Sequence, residues 1–282
     1  MAFQVVSQLP FDVKEAIKKR VSVRSFEAKA LTTEDKNKLM DFNSTLTNPF
    51  DINVEYISKN SGADNVKLGT YGTIKGAKDF LAVTVKDEPF AMEAVGYQFE
   101  NLVLYATDMG IGTVWLAATF SRKNFENMME MREDDLFPCI CPIGYPSKKR
   151  SLLEKVTRVG LGSKKRKAWD QLFYLQGFTK PMTQADAGEY ELALEMLRLA
   201  PSATNAQPWA VVKEGKHFHF FCHYKSSIGD DMKKIKHLDL GIALAHFHQM
   251  AMSDGLGGEF ELQAINFPVP EQMHYVISYL SN

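Results

Sequence analysis

The chain has 282 residues, 45% of them hydrophobic and 24% charged, the composition of an ordinary globular protein with a sizeable core or two coupled ones. Its formal net charge of −1 excludes a global pull toward nucleic acid or an anionic membrane. Basic residues gather only locally, at Lys148-Lys149-Arg150 and Lys164-Lys165-Arg166-Lys167, which suits a small anion such as phosphate or a solvated loop.

The start has no basic leader followed by a long apolar core, and no apolar run is long enough to span a bilayer. Three cysteines argue against a disulfide scaffold and fit a reducing compartment, so a cytoplasmic location is expected.

In chain order, the pattern predicts a helix over 11–19 and then the segment Arg20-Val21-Ser22-Val23-Arg24-Ser25-Phe26. If that segment is extended, Arg20, Ser22 and Arg24 fall on one face, where two guanidiniums and a hydroxyl could bind phosphate. The bland alternative has Arg20 on a helix dipole and Arg24 in water. A helix follows Thr33, then strands over 52–57 and 80–85, a long helix over 92–109 and a strand over 113–116. Cys139 and Cys141 lie in an apolar run, 137–143, that reads as a buried strand rather than a metal or redox site. Residues 151–167 are the expected crossing between two halves.

Beyond it come a helix over 187–199, strands over 210–212 and 217–222, a long helix over 238–253 and a strand over 259–262. Pro201 ends the first of these helices. The connection that follows carries Ser202, Thr204, Asn205 and Gln207, short polar groups that a rigid turn could present to a ligand. All seven histidines lie after residue 216, but His217 and His219 share a strand face while His246 and His248 diverge on a helix, so no metal site is expected. The mixed order of elements predicts an α+β fold, mainly antiparallel sheets flanked by helices.

The two long helical patterns echo each other. Residues 96–110 and 241–255 lie at a constant offset of 145, both close on glycine after an aspartate, and both run into a predicted strand. A period near half the chain length points to duplication of a whole domain.

The segment Ala200-Pro-Ser-Ala-Thr-Asn-Ala-Gln-Pro-Trp209 resembles a signature of the FMN-dependent nitroreductase family, as do Arg20-Val-Ser-Val-Arg24, Gly110-Ile-Gly-Thr-Val-Trp-Leu-Ala117 and Gly144-Tyr145-Pro146. In that family the Arg-x-Ser-x-Arg motif and the polar turn lie close in sequence, and the turn reaches the other subunit's active site. Here each half keeps one motif. Residues 42–50 stand where the first half's turn should be, and 177–181 where the second half's arginine motif should be.

The resemblance therefore implies a nitroreductase-like fold duplicated within one chain, a pseudo-dimer of residues 1–165 and 166–282 with one surviving site. It implies FMN as cofactor. The phosphate would be held by Arg20, Ser22, Arg24, Lys164 and Arg166. Trp115, Leu116 and Ala117 would lie beside the isoalloxazine, with a backbone N–H of Leu116 or Ala117 toward N5. Pro201, Ser202, Asn205 and Gln207 would contact the flavin from the other half, and residues 71–73 would lie near its pyrimidine edge.

The activity implied is ping-pong hydride transfer from NAD(P)H to a nitroaromatic, quinone or similar small acceptor. No catalytic side chain and no metal are expected, and a monomer with an internal pseudo-two-fold follows. Two other readings stay open: a flavin enzyme of the same fold such as a reductive dehalogenase, and a non-catalytic flavin-binding or scaffold protein. Ala117 and Ala118 stand where the family often carries glycines, which would narrow the site.

Overall fold

Short polar side chains begin the first two helices. Asp12 accepts the Glu15 amide at 2.9 Å to open α1 (Val13–Lys19), and Thr32 accepts the Asp35 amide at 3.1 Å to open α2 (Thr33–Thr45). β1 (Ile52–Ser58) then pairs antiparallel with β2 (Asp79–Lys86). α3 (Ala91–Asp108) leads to β3 (Gly112–Thr113), α4 (Arg122–Glu126) and β4 (Asp135–Gly144). The resulting sheet is antiparallel throughout, in the order β1-β2-β4-β3. The computed structural model describes residues 8–58, 70, 72–148 and 165–282; Tyr71, Lys164 and all but the last three residues of the expected crossing lie outside them.

The second sheet holds β5 (Phe173–Leu175), β6 (Trp209–Glu214), β7 (His217–His223), β8 (Gly258–Glu261) and β9 (Met273–Ser281), in the order β5-β6-β7-β9-β8. Its last four strands repeat the first sheet strand for strand, and α7 (Asp230–Ser253) takes the place of α3. The extra strand β5 lies parallel to β6, with Phe173 opposite Val211. Between β5 and β6 run α5 (Gln184–Ala187) and α6 (Glu191–Arg198).

The duplication extends to single hydrogen bonds. After α3, the Ile111 amide donates to Ala106 O at 2.8 Å; after α7, the Leu256 amide donates to Ala251 O at 2.9 Å. Both bonds bridge a glycine in the left-handed region, Gly110 at φ +77° and Gly255 at φ +75°. Each pair of counterparts is 145 residues apart, as the sequence pattern predicts.

α3 and α7 cross at the equivalent glycines. A Cβ on Gly96 would lie 2.2 Å from Leu238 O, and one on Gly241 would lie 2.2 Å from Glu93 O. Glu93 and Leu238 are themselves one offset apart, so the pseudo-two-fold passes between the two glycines. From residue 91 to 104 every side chain of α3 is buried, as is 238–251 of α7. One core runs unbroken from Val83 and Cys141 of the first sheet, through both helices, to Val211 and Phe220 of the second.

Three elements differ from the sequence pattern. The helix expected over 187–199 is broken at Gly188, φ +62°, into α5, a single 3-10 turn and α6. α7 starts at Asp230, eight residues early, through a polar turn with no apolar periodicity. Of the strand expected over 113–116 only Thr113 lies in β3, which starts one residue earlier at Gly112, and Leu116 makes an isolated bridge to Ile140. No helix among the described residues is long and apolar enough to cross a membrane.

Candidate functional site

The arginine segment lies extended along the edge of the first sheet. Ser22 bridges Thr113 in parallel, the Val23 amide donates to Thr113 O at 2.9 Å, and on the other side the Lys75 amide donates to Arg24 O at 2.9 Å. Gly112 permits this approach, since a Cβ there would sit 3.0 Å from the Val23 side chain. Ser22 and Arg24 are half-buried, and the Arg20 side chain is only 6% exposed.

Arg20 has a counter-ion, Glu100, but makes no hydrogen bond to it. Its Nε is buried without a hydrogen-bond partner, and the Glu100 carboxylate lies 3.7 Å away. Burial lowers the guanidinium from its usual value, against the opposing pull of Glu100. Arg166, near the start of the second unit, is also lowered, first by burial and then by the charge of Arg20. A buried cation and a half-buried one therefore sit within electrostatic reach of each other, one from each unit.

The polar turn organises the second cation. Asn205 accepts from Arg166 Nη1 at 3.1 Å through Oδ1 and donates to Lys165 O at 3.0 Å through Nδ2. Gln207 accepts the Lys167 amide at 2.8 Å, while its own amide donates to Ser202 Oγ at 2.8 Å. Pro201 is half-buried and opens the turn. Thr204, Asn205 and Gln207 adopt φ of +53°, +58° and +48°, a conformation that side-chain-bearing residues rarely take. Asp239 of α7 holds this backbone by accepting the Ala203 amide at 2.9 Å; its other oxygen is buried without a partner, and burial pushes the carboxyl up to about 7.

Beside the arginine segment, the Leu116 amide donates to Ile140 O at 2.9 Å and so is committed to the sheet. It is not available to a flavin N5, and of the two amides expected there Ala117 alone is left for that role. Trp115 Nε1 donates to Glu100 Oε2 at 2.8 Å, and the ring packs edge-on against Phe99. Ala117 and Ala118 line a cleft of about 320 Å³ whose opposite wall is the start of α7, including Met232 and Ile235. Both halves thus contribute to the cleft beside Ala117, which Arg20, Ser22, Arg24, Arg166 and the turn at 201–207 do not line.

A second cleft, about 490 Å³, is the repeat-related counterpart of the first: Leu262 stands for Ala117 and His237 for Met92 at the same 145-residue offset. It holds a chain the sequence reading missed, with Glu93 Oε1 2.5 Å from His237 Nδ1 and the Tyr224 hydroxyl 3.2 Å from His237 Nε2. Also missed were Glu100 and Asp239. The available signal was a carboxylate in an otherwise apolar helix: Glu93 and Glu100, seven apart, share one face of α3. Among the described residues no group of three His, Cys, Asp or Glu could hold a metal.

Paired sheets related by a pseudo-two-fold, with a cationic edge from one half and a strained polar turn from the other, make this a duplicated α+β fold of nitroreductase type. The chain belongs to the family described as Putative TM nitroreductase, whose model matches residues 12–251. Its fold is similar to that of a putative nitroreductase from Thermotoga maritima, 17% identical, over 97% of this chain and 95% of that one with a TM-score of 0.58. A nitroreductase family protein from Clostridium difficile matches 53% of this chain and 92% of its own, 19% identical, TM-score 0.41. A nitroreductase with bound FMN from Bacteroides fragilis matches 50% of this chain and 92% of its own, 16% identical, TM-score 0.40. No match was found among curated proteins.

Proposed function

We propose that the chain is an FMN-dependent NAD(P)H oxidoreductase that holds one flavin between its two units, residues 1–165 and 166–282. The observation that carries this reading is Arg20: a buried guanidinium with an unpartnered Nε, within electrostatic reach of the half-buried Arg166. A guanidinium this buried, offset only by a carboxylate held 3.7 Å away and repelled by a neighbouring arginine, favours a further anion. A flavin phosphate supplies that anion, and the polar turn that fixes Arg166 comes from the other half.

Arg20, Ser22, Arg24 and Arg166, with Lys164, bind the phosphate in this reading. The strained backbone of 204–207 presents the turn to the flavin from across the pseudo-two-fold, with Pro201 and Ser202 at its entrance. The Ala117 amide points to N5, and the methyls of Ala117 and Ala118 bound the cleft toward Met232 and Ile235. Bound FMN would supply hydride acceptance from a reduced nicotinamide and its return to a nitroaromatic, quinone or similar small acceptor in ping-pong order. The repeat-related cleft lacks an arginine motif, which supports one flavin per chain.

The test is spectroscopic. The protein loaded with FMN is expected to bleach under anaerobic NADH or NADPH and to recover its colour on adding a quinone. Loaded protein that neither nicotinamide bleaches would leave a flavin-binding protein without this activity, and failure to bind FMN would overturn the reading entirely.

A further inference from the structure

We propose that His246 and Trp115 occupy the Glu100 carboxylate so that Arg20 stays available to a phosphate; the inference rests on the flavin reading above. The residues span the pseudo-two-fold: Arg20 and Trp115 lie in the first half, Glu100 on α3 and His246 on α7.

Glu100 and His246 are wholly buried. Glu100 Oε1 lies 2.9 Å from His246 Nε2, and Oε2 accepts from Trp115 Nε1 at 2.8 Å. On its other side His246 Nδ1 lies 3.0 Å from Met196 O. A carbonyl only accepts, so Nδ1 carries a hydrogen, and a further proton must sit between Nε2 and Oε1. Both carboxylate oxygens are thus engaged by donors other than arginine.

Arg20 shows the consequence. Its Nε stands 3.7 Å from Oε1, beyond hydrogen-bond distance, and has no other partner. A buried guanidinium beside an unoccupied carboxylate would close into a charge-assisted, often bidentate, pair and spend its donors there. With both oxygens taken, Glu100 offsets part of the cation's charge from a distance while the Nε–H stays unspent. The other ionisable groups facing Arg20 do not change this: Arg166 is a cation, and burial first of all pushes the Cys141 thiol up to about 12. His246 and Trp115 are positioning residues, and the second half of the chain thereby governs a phosphate site on the first.

The experiment compares FMN with riboflavin, which lacks the phosphate, by flavin-fluorescence titration. His246→Leu removes the donor to Glu100 and is expected to lower the ratio of FMN to riboflavin affinity about tenfold or more, the scale of one charge-assisted hydrogen bond. His246→Gln keeps a donor and is expected to hold the ratio near that of the parent. The double variant Glu100→Gln/His246→Leu removes the competing carboxylate and is expected to restore it. Should His246→Leu fail to melt cooperatively, Trp115→Phe vacates the other oxygen and carries the same expectation for the ratio.

An unchanged ratio in the folded variants, or an equal change in both affinities, would overturn the inference while leaving the flavin reading intact. A parent that binds neither flavin would overturn both.

Discussion

Replacing Arg20 with methionine separates what the fold needs from what a phosphate needs. Methionine keeps most of the buried length of the side chain and removes its charge. Two charge-assisted hydrogen bonds to a phosphate are worth about 3–6 kcal/mol together, so FMN affinity should fall by about 10² to 10⁴. The apo protein should respond differently. The substitution gives up the attraction to Glu100 at 3.7 Å, at most about 4 kcal/mol at an effective dielectric near 20 because Glu100 shares a proton with His246, but it also removes a cation whose burial costs several kcal/mol. Glu100 is not stranded, because His246 and Trp115 still donate to it. Stability of the apo protein should therefore move by no more than about 1 kcal/mol, a shift in melting temperature of about 2–4 °C for a chain of this size. Thermal melts of the apo proteins and FMN titrations decide between the outcomes. Apo Arg20→Met destabilised by about 3 kcal/mol or more would show that Arg20 is a structural ion pair, and undiminished FMN binding would show that the phosphate lies elsewhere.

Two buried groups should give opposite pH dependences. Asp239, pushed up to about 7 from 3.8, contributes stability fully present below the lower value and lost as pH rises through about 7, on the order of 4 kcal/mol. His248, pushed down from 6.5 to about 4 by burial, with Nδ1 2.6 Å from the Tyr97 hydroxyl, contributes stability present above pH 6.5 and lost as pH falls through about 4, on the order of 3 kcal/mol. Melts between pH 4 and 8 should show Asp239→Asn more stable than the parent above pH 7 and His248→Gln less sensitive to acid; identical profiles for all three would refute both assignments. Gly96→Ala forces a methyl to 2.2 Å from Leu238 O and should cost about 1–3 kcal/mol or more in a chemical melt, with Gly241→Ala alike; a neutral effect at both would mean the helices do not cross there.

Much of the fold is legible in sequence because its strongest signals are local. The glycines that close α3 and α7 act within one turn, so both are visible as local patterns, and the hydrogen bonds after each helix repeat at their 145-residue offset. The start of α7 is not legible, since Asp230 and Lys233 form a polar i,i+3 pair that carries no apolar period. β5 is missed because three residues gain their strand conformation only from parallel pairing with β6. The candidate site divides in the same way. The arginine segment and the polar turn stand out as motifs, whereas Glu100, His246 and Asp239 lie inside helices whose burial on every side is created by the partner half. The direct partners of Asn205 and Gln207 were beyond the sequence as well: their side chains hold residues 165–167, and so set Arg166 in place.

In the proposed function, one flavin is gripped by residues 20–24 of one unit and 201–207 of the other. Saturating the purified protein with FMN, removing the excess and releasing the flavin by denaturation measures this directly as moles of FMN per chain. One mole per chain is expected. Two would mean that both repeat-related clefts bind flavin, and none would mean that Arg20 and Arg166 serve something else.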